Sequence, residues 1–233
     1  MFFIVRFWNW TRDADSGSRV LYLDGVIAQE SWFDDDVTPA AFKAELFAEE
    51  GDVTIWLNSP GGDCVAASRI YAMLMDYPSR VTIKIDGIAA SAASVIAMAG
   101  TSVLMAPTAL LMVHNPLTIA IGDSEEMRKA IDMLAEVKES IINAYAGKTG
   151  LSRAKLSHLM DAETWMSAHK AIELRFADGM LQDEKRQVSV ETYAFSRRAV
   201  TNSLLDKVRP RIPAGPVGIP IDSLYGRLDL IPH

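Results

Sequence analysis

The apolar positions of this chain change their period from segment to segment, and those changes divide it into strands and helices. Runs of strand length, rich in β-branched or aromatic residues, predict strands over 2–8, 20–23, 53–57, 81–85, 102–106 and 110–113. Between them, apolar residues three and four apart predict helices. Thr38 and Pro39 open one whose buried face is Phe42, Leu46 and Phe47, and a long one over 123–146 carries Met127, Ile131, Leu134, Val137, Ile141 and Ile142. Shorter helices are expected over 65–75, after a Gly-Gly turn, and over 89–99, where small residues of strong helix propensity predominate until Gly100. Strand, helix and strand repeat in order, which predicts an α/β fold with a parallel core and right-handed crossovers. Residues 11–18 and the acidic Asp34, Asp35 and Asp36 read as polar turns.

One stretch dominates the pattern. From Gly87 to Gly122, 36 positions (122 − 87 + 1) contain no Asp, Glu, Lys or Arg. About 18 apolar residues suffice to cross a bilayer, but Ser91, Ser94, Gly100, Thr101, Ser102, Pro107 and Thr108 break this run into shorter pieces. It reads as an interior helix followed by two interior strands with a Pro107-Thr108 turn between them, so no membrane span is expected.

Composition changes the picture little. With 233 residues, 49% hydrophobic and 23% charged, the chain is large enough for one sizeable core plus an appendage. A formal net charge of −7 argues against nucleic acid as the main partner. The single cysteine, Cys64, excludes an internal disulfide and a cysteine-based zinc site, and reads as a small thiol at the start of a helix. A reducing cytoplasm suits it, and residues 1–10 lack the features of a signal peptide. The aspartate triplet lacks the ordered oxygen spacing of a cation loop, so no metal is expected there.

The charge-free stretch leaves two polar side chains where burial would otherwise exclude them: Ser91 at the start of a helix and His114 at the end of a strand. A serine at a helix N-terminus lies among backbone N–H groups without intrahelical partners, where an oxyanion is stabilised. On spacing alone an N-cap serine and a hydrogen-bonded core histidine are equally open readings. Upstream, Asn58-Ser59-Pro60-Gly61-Gly62 is a glycine-rich turn without the lysine of a phosphate-binding loop, so nucleotide binding is not expected.

Three segments in this order, Asn58-Ser59-Pro60-Gly61-Gly62, Gly87-Ile88-Ala89-Ala90-Ser91 and Met112-Val113-His114-Asn115-Pro116, resemble the proteolytic subunits of the Clp proteases over residues 20–180. Those subunits carry N-S-P-G-G, G-x-A-A-S and M-x-H-x-P. The resemblance implies the Clp protease/crotonase-like spiral of strand-helix-strand units. It also implies a serine endopeptidase that needs no cofactor: Ser91 as nucleophile, His114 as base, and oxyanion or substrate contacts from Gly61, Gly62 and Ala92. An ungapped alignment from His114 through Trp165 sets Glu163 on the family's acid, with Asp161 as the alternative. It implies a ring-forming homo-oligomer of about seven subunits, single or double, in which the helix over 123–146 joins two rings. Glu163-Thr164-Trp165 and the long C-terminal extension look closest to the Clp-related head-maturation proteases of phages, which would make capsid proteins the substrates and the host cytoplasm the location. The aromatic N-terminus does not look like the family's axial loop, so an unfoldase partner is left open.

The family's S-A-x-E-A-x-x-x-G helix appears with Lys170 in place of its glutamate and Arg175 in place of its glycine. His158 and His169 are expected on the surface. Beyond residue 196 the composition shifts, with five of the ten prolines and six basic against three acidic residues, which reads as an extended linker over 210–220 and a short apolar segment over 224–231. The division is therefore an N-terminal strand and turn (1–18), a protease domain (19–185) and a C-terminal extension (186–233). Three other chemistries fit parts of the pattern: a catalytically silent scaffold, an acyl-CoA enzyme of the crotonase type, and a serine–lysine pair using Lys84.

Overall fold

The computed structural model describes residues 8–13, 17–27 and 39–181. The strand expected over 2–8, the aspartate triplet, Thr38 and the C-terminal extension lie outside them, apart from Trp8. The α/β expectation holds. Among the described residues, eight strands form one sheet in the order β1-β2-β3-β4-β5-β8, with β6 pairing to β4 and β7 pairing to β6. These are β1 (Trp8–Arg12), β2 (Arg19–Ile27), β3 (Val53–Gly62), β4 (Val81–Ala90), β5 (Ser102–Met105), β6 (Leu110–Val113), β7 (Thr164–Ser167) and β8 (Gly179–Met180). The core from β2 to β5 and β8 is parallel, whereas β1–β2 and β6–β7 are antiparallel, which the repeat of strand and helix did not predict.

Six helices complete the described residues: α1 (Pro39–Leu46), α2 (Cys64–Asp76), α3 (Ala92–Ala97), α4 (Ser124–Thr149), α5 (Arg153–Asp161) and α6 (Ala168–Glu173). Alternation explains the layering. Along β3, Val53, Ile55, Leu57 and Ser59 are buried while Thr54, Trp56 and Asn58 between them are half-exposed, so the buried side faces the helices. α3 is buried over its whole length, and its small residues let it approach α2 and the sheet closely.

Several elements differ from the sequence expectation for a physical reason. Thr11 and Arg12 pair with Val20 and Arg19, so they belong to β1 rather than to a turn. Phe42 and Leu46 are buried, but Phe47 is 43% exposed and meets Tyr77 edge-on. Ala89 and Ala90 belong to β4, because backbone pairing with Leu111 and Met112 outweighs the helix propensity of alanine. The charge-free stretch is thus divided among a strand end, a six-residue helix and two four-residue strands. No helix among the described residues is long and apolar enough to cross a membrane.

On α4 the second half, from Val137 on, packs inward. Ile141, Ile142, Ala144, Tyr145 and Thr149 are buried, whereas Ile131 is 65% exposed. At the end of α6, Arg175 adopts φ 62, the left-handed conformation in which the family's glycine is unstrained, at a cost of up to about 1 kcal/mol.

Candidate active site

The fork in β4 builds the site. Thr82–Ile85 of this strand pair with β5, but Ile88, Ala89 and Ala90 pair with β6, so β4 leaves one neighbour for another at Asp86-Gly87. Gly87 has no room for a side chain there, since a Cβ would stand 2.4 Å from Asn58 Oδ1. That oxygen accepts the Ile88 N–H at 3.2 Å, and Asn58 Nδ2 donates to Asp24 at 2.7 Å. Asn58 therefore ties β2, β3 and β4 together where their register shifts. Ser59, fully buried, donates to the Gly25 carbonyl and accepts the Gly61 N–H. These two side chains hold the glycine turn in strand pairing with Val26 and Ile27; the motif's polar residues were legible in the sequence, their bracing role was not.

Immediately after β4 the chain reverses into α3 through Ser91, which has φ 54 and ψ −124. A non-glycine residue in such a conformation stores on the order of 1–3 kcal/mol and persists only where its surroundings over-determine it. Here Ser91 N–H donates to the Met112 carbonyl at 3.0 Å, which locks the turn to β6. The Ser91 hydroxyl makes no N-cap bond to α3. It lies instead 2.7 Å from His114 Nε2, and both residues are half-buried. The register Ala90↔Met112 is what makes this possible, because one residue past β4 and two past Met112 converge on the same point.

The glycines crowd this turn from the other side. A Cβ on Gly61 would come within 2.7 Å of Ser91 Cβ and of the Ala90 carbonyl, and 3.0 Å from the Ala92 nitrogen. Any side chain at 61 would cover that amide. Gly62 is required for a different reason from the one the sequence suggested: its Cβ would stand 2.1 Å from the Ile27 carbonyl, so the strand pairing demands glycine without any substrate present.

The two candidate acids have different partners. In the antiparallel pairing of β6 and β7, Val113 faces Thr164 and Met112 faces Trp165. The pairing ends there: His114 lies one residue past β6 and Glu163 one residue before β7. Neither carboxylate is bonded to the imidazole. Glu163, itself left-handed at φ 44, accepts from Trp165 Nε1 at 3.3 Å. Asp161 accepts from Lys138 Nζ at 2.6 Å and from Asn115 Nδ2 at 2.9 Å, which braces the residue after His114 against α4. The hydrogen bond from Lys138, then that from Asn115, holds the Asp161 carboxyl below its usual range, so it is charged at neutral pH. Trp165 entered the sequence reading only through the Glu163-Thr164-Trp165 resemblance; its bond to Glu163 was not expected from the sequence.

Other candidates fall away from the site. Lys84 Nζ sits 5.1 Å from the centre of the Trp56 ring, on the half-exposed side of the sheet, which removes the serine–lysine pair. Cys64 is half-buried at the first turn of α2, and burial followed by the Asp63 charge pushes its thiol up, away from reactivity. His158 and His169 are exposed.

Comparison with known proteins adds the lineage. The model of the Clp protease family matches residues 17–184, more than two thirds of the chain. An ATP-dependent Clp protease proteolytic subunit from Ligilactobacillus salivarius is 29% identical over 75% of this chain and 91% of its own length. Another ATP-dependent Clp protease proteolytic subunit, from Porphyromonas gingivalis, is 30% identical over 65% of this chain and 72% of its own. The strand fork, the glycine turn and the paired serine and histidine all lie within the matched span, and the chain belongs to the Clp protease family, a family of peptidases.

Proposed function

We propose that this chain is a serine endopeptidase acting on protein substrates. The observation that carries the reading is the 2.7 Å contact between Ser91 Oγ and His114 Nε2 at a strained turn where serine forgoes its N-cap bond. Ser91 attacks the peptide carbonyl while His114 takes its proton, then returns it to the leaving amine; water repeats the sequence on the acyl-enzyme. The Gly62 and Ala92 N–H groups bind the oxyanion, and Gly61 keeps the approach to Ala92 open. Glu163 is the acid of the triad: it and His114 each lie one residue beyond the last β6–β7 pair, and a rotation away from Trp165 carries its carboxylate toward the imidazole. No organic cofactor or metal takes part. An acyl-CoA enzyme of the crotonase type would instead need acid/base carboxylates, and a silent scaffold would have no use for the strained serine.

Labelling with a fluorophosphonate and mapping the modified peptide tests this. We expect a stoichiometric adduct on Ser91 and loss of casein hydrolysis; turnover that survives labelling, or an adduct elsewhere, refutes it.

The assembly we propose is a ring homo-oligomer of about seven subunits, single or stacked in pairs. Leu117, Ile119 and Ile121 are more than three quarters exposed, and Ile131 and Met133 continue that apolar surface along α4. Light scattering at micromolar concentration is expected to find several subunits together, and a monomer would contradict it. Glu163-Thr164-Trp165 and the basic, proline-rich extension favour assembling phage capsid protein as the substrate, which would set the enzyme in the host cytoplasm.

A further inference from the structure

A buried hydroxyl relay ends on the carbonyl of the proposed nucleophile. Ser94, fully buried in α3, donates its hydroxyl proton to the Ser91 carbonyl oxygen at 2.6 Å. Serine hydroxyls on helices often bond back to a carbonyl one turn earlier. Here, however, Ser94 Oγ is also 2.8 Å from Tyr145 Oη, which comes from a different helix. Ser94 has one proton, already committed to a carbonyl that can only accept, so Tyr145 must be the donor in the second contact. The proton order is Tyr145 O–H to Ser94 Oγ–H to Ser91 C=O. Tyr145 is 1% exposed, packed edge-on against Phe176 at 5.4 Å, and burial pushes its phenol well above the usual range, so it keeps its proton.

What the relay holds is one peptide plane. The Ser91 carbonyl accepts from the Ser94 N–H at 3.0 Å as well as from its hydroxyl. In a trans peptide the carbonyl of one residue and the N–H of the next point in opposite directions within a rigid plane. Two donors on the Ser91 oxygen therefore fix the direction of the Ala92 N–H, on the side that Gly61 leaves open. Donors on a carbonyl also polarise the amide and strengthen its N–H as a donor.

We propose that Ser94 and Tyr145 are positioning residues for the oxyanion site: they aim and polarise the Ala92 amide through the Ser91 carbonyl. This rests on the serine-peptidase reading. Losing a direct oxyanion donor costs about 10²- to 10³-fold in kcat; acting one bond removed, Ser94→Ala is expected to lower kcat about tenfold and Tyr145→Phe about threefold to fivefold, with KM unchanged.

The test uses the full chain, a fluorogenic peptide and a peptide boronic acid, with active sites counted by fluorophosphonate. Affinity for the boronic acid, which places an oxyanion-like oxygen in the site, should fall by the same factor as kcat. Thr149→Val is the control, since it removes another buried hydroxyl bond on the same helix, to the Tyr145 carbonyl, and should leave kcat near wild type. Should Ser94→Ala not fold, Tyr145→Phe alone decides. Unchanged kcat and boronic acid affinity in the folded variants, or an equal fall of kcat in Thr149→Val, overturns the inference while wild-type labelling and turnover leave the peptidase reading standing. A wild-type chain that neither reacts at Ser91 nor hydrolyses peptide overturns both.

Discussion

Replacing Ser91 with alanine is expected to reduce peptide turnover by about 10⁴- to 10⁶-fold, with little change in unfolding midpoint. The reason for the size is that the hydroxyl is the nucleophile in the proposed chemistry. Its removal leaves only oxyanion binding and substrate positioning, which act on water as a far poorer attacker. Stability should change little because Ser91 Oγ caps no backbone group of α3, and alanine meets the same strain at φ 54 that serine does. The bond lost is the one to His114, a half-buried imidazole that water can reach. Steady-state kinetics with a fluorogenic peptide, together with a urea titration, check both halves. Turnover near wild type in a folded Ser91→Ala chain would end the serine peptidase proposal.

The second large effect is expected at the acid. Glu163→Gln should lower kcat by about 10⁴-fold, because an amide in place of the carboxylate neither selects the productive histidine tautomer nor stabilises the imidazolium. Asp161→Asn should cost less than about tenfold. Glu163 is the proposed acid because it and His114 each stand one residue beyond the Val113–Thr164 pair. Asp161 is instead engaged by Lys138 and Asn115 at the end of α5, facing α4. Its contribution is to stability. The carboxyl is held below its usual range, so that contribution is present above the unfolded carboxylate pKa and is lost as pH falls through the folded one. Measuring kcat for both variants across pH separates the roles: a large loss confined to Asp161→Asn, with Glu163→Gln nearly active, would reverse the assignment.

Much of the fold was legible because the periods were clean. The buried positions of β3 fall at every second residue, Thr38-Pro39 announced the start of α1, and apolar spacing announced α4. Mistakes concentrated where a local preference met a tertiary competitor. Ala89 and Ala90 favour helix by propensity, but pairing with Leu111 and Met112 satisfies their backbone groups in a strand. Phe47 was expected on the buried face beside Leu46, yet the helix ends at Leu46 and the Phe47 ring turns out against Tyr77. The apolar stripe of α4 holds from Val137 onward, where it packs on the core, but not at Ile131, which is 65% exposed.

The sequence by itself determined that the uncharged stretch is mostly interior, although its end at Leu117, Ile119 and Ile121 lies exposed, that Ser91 and His114 stand out within it, and that glycines at 61 and 62 mark a close backbone approach. These follow from residue type alone, since burial excludes unpaired polar groups and close backbone approach excludes a Cβ. Tertiary structure decided the rest. That Ser91 and His114 meet depends on β4 changing neighbours at Gly87, that Asp161 is engaged by Lys138 and Asn115 depends on where α5 ends beside α4, and that Tyr145 reaches Ser94 depends on where α4 crosses α3. Each is a relation between segments distant in the chain, and no local preference encodes a distance between two strands.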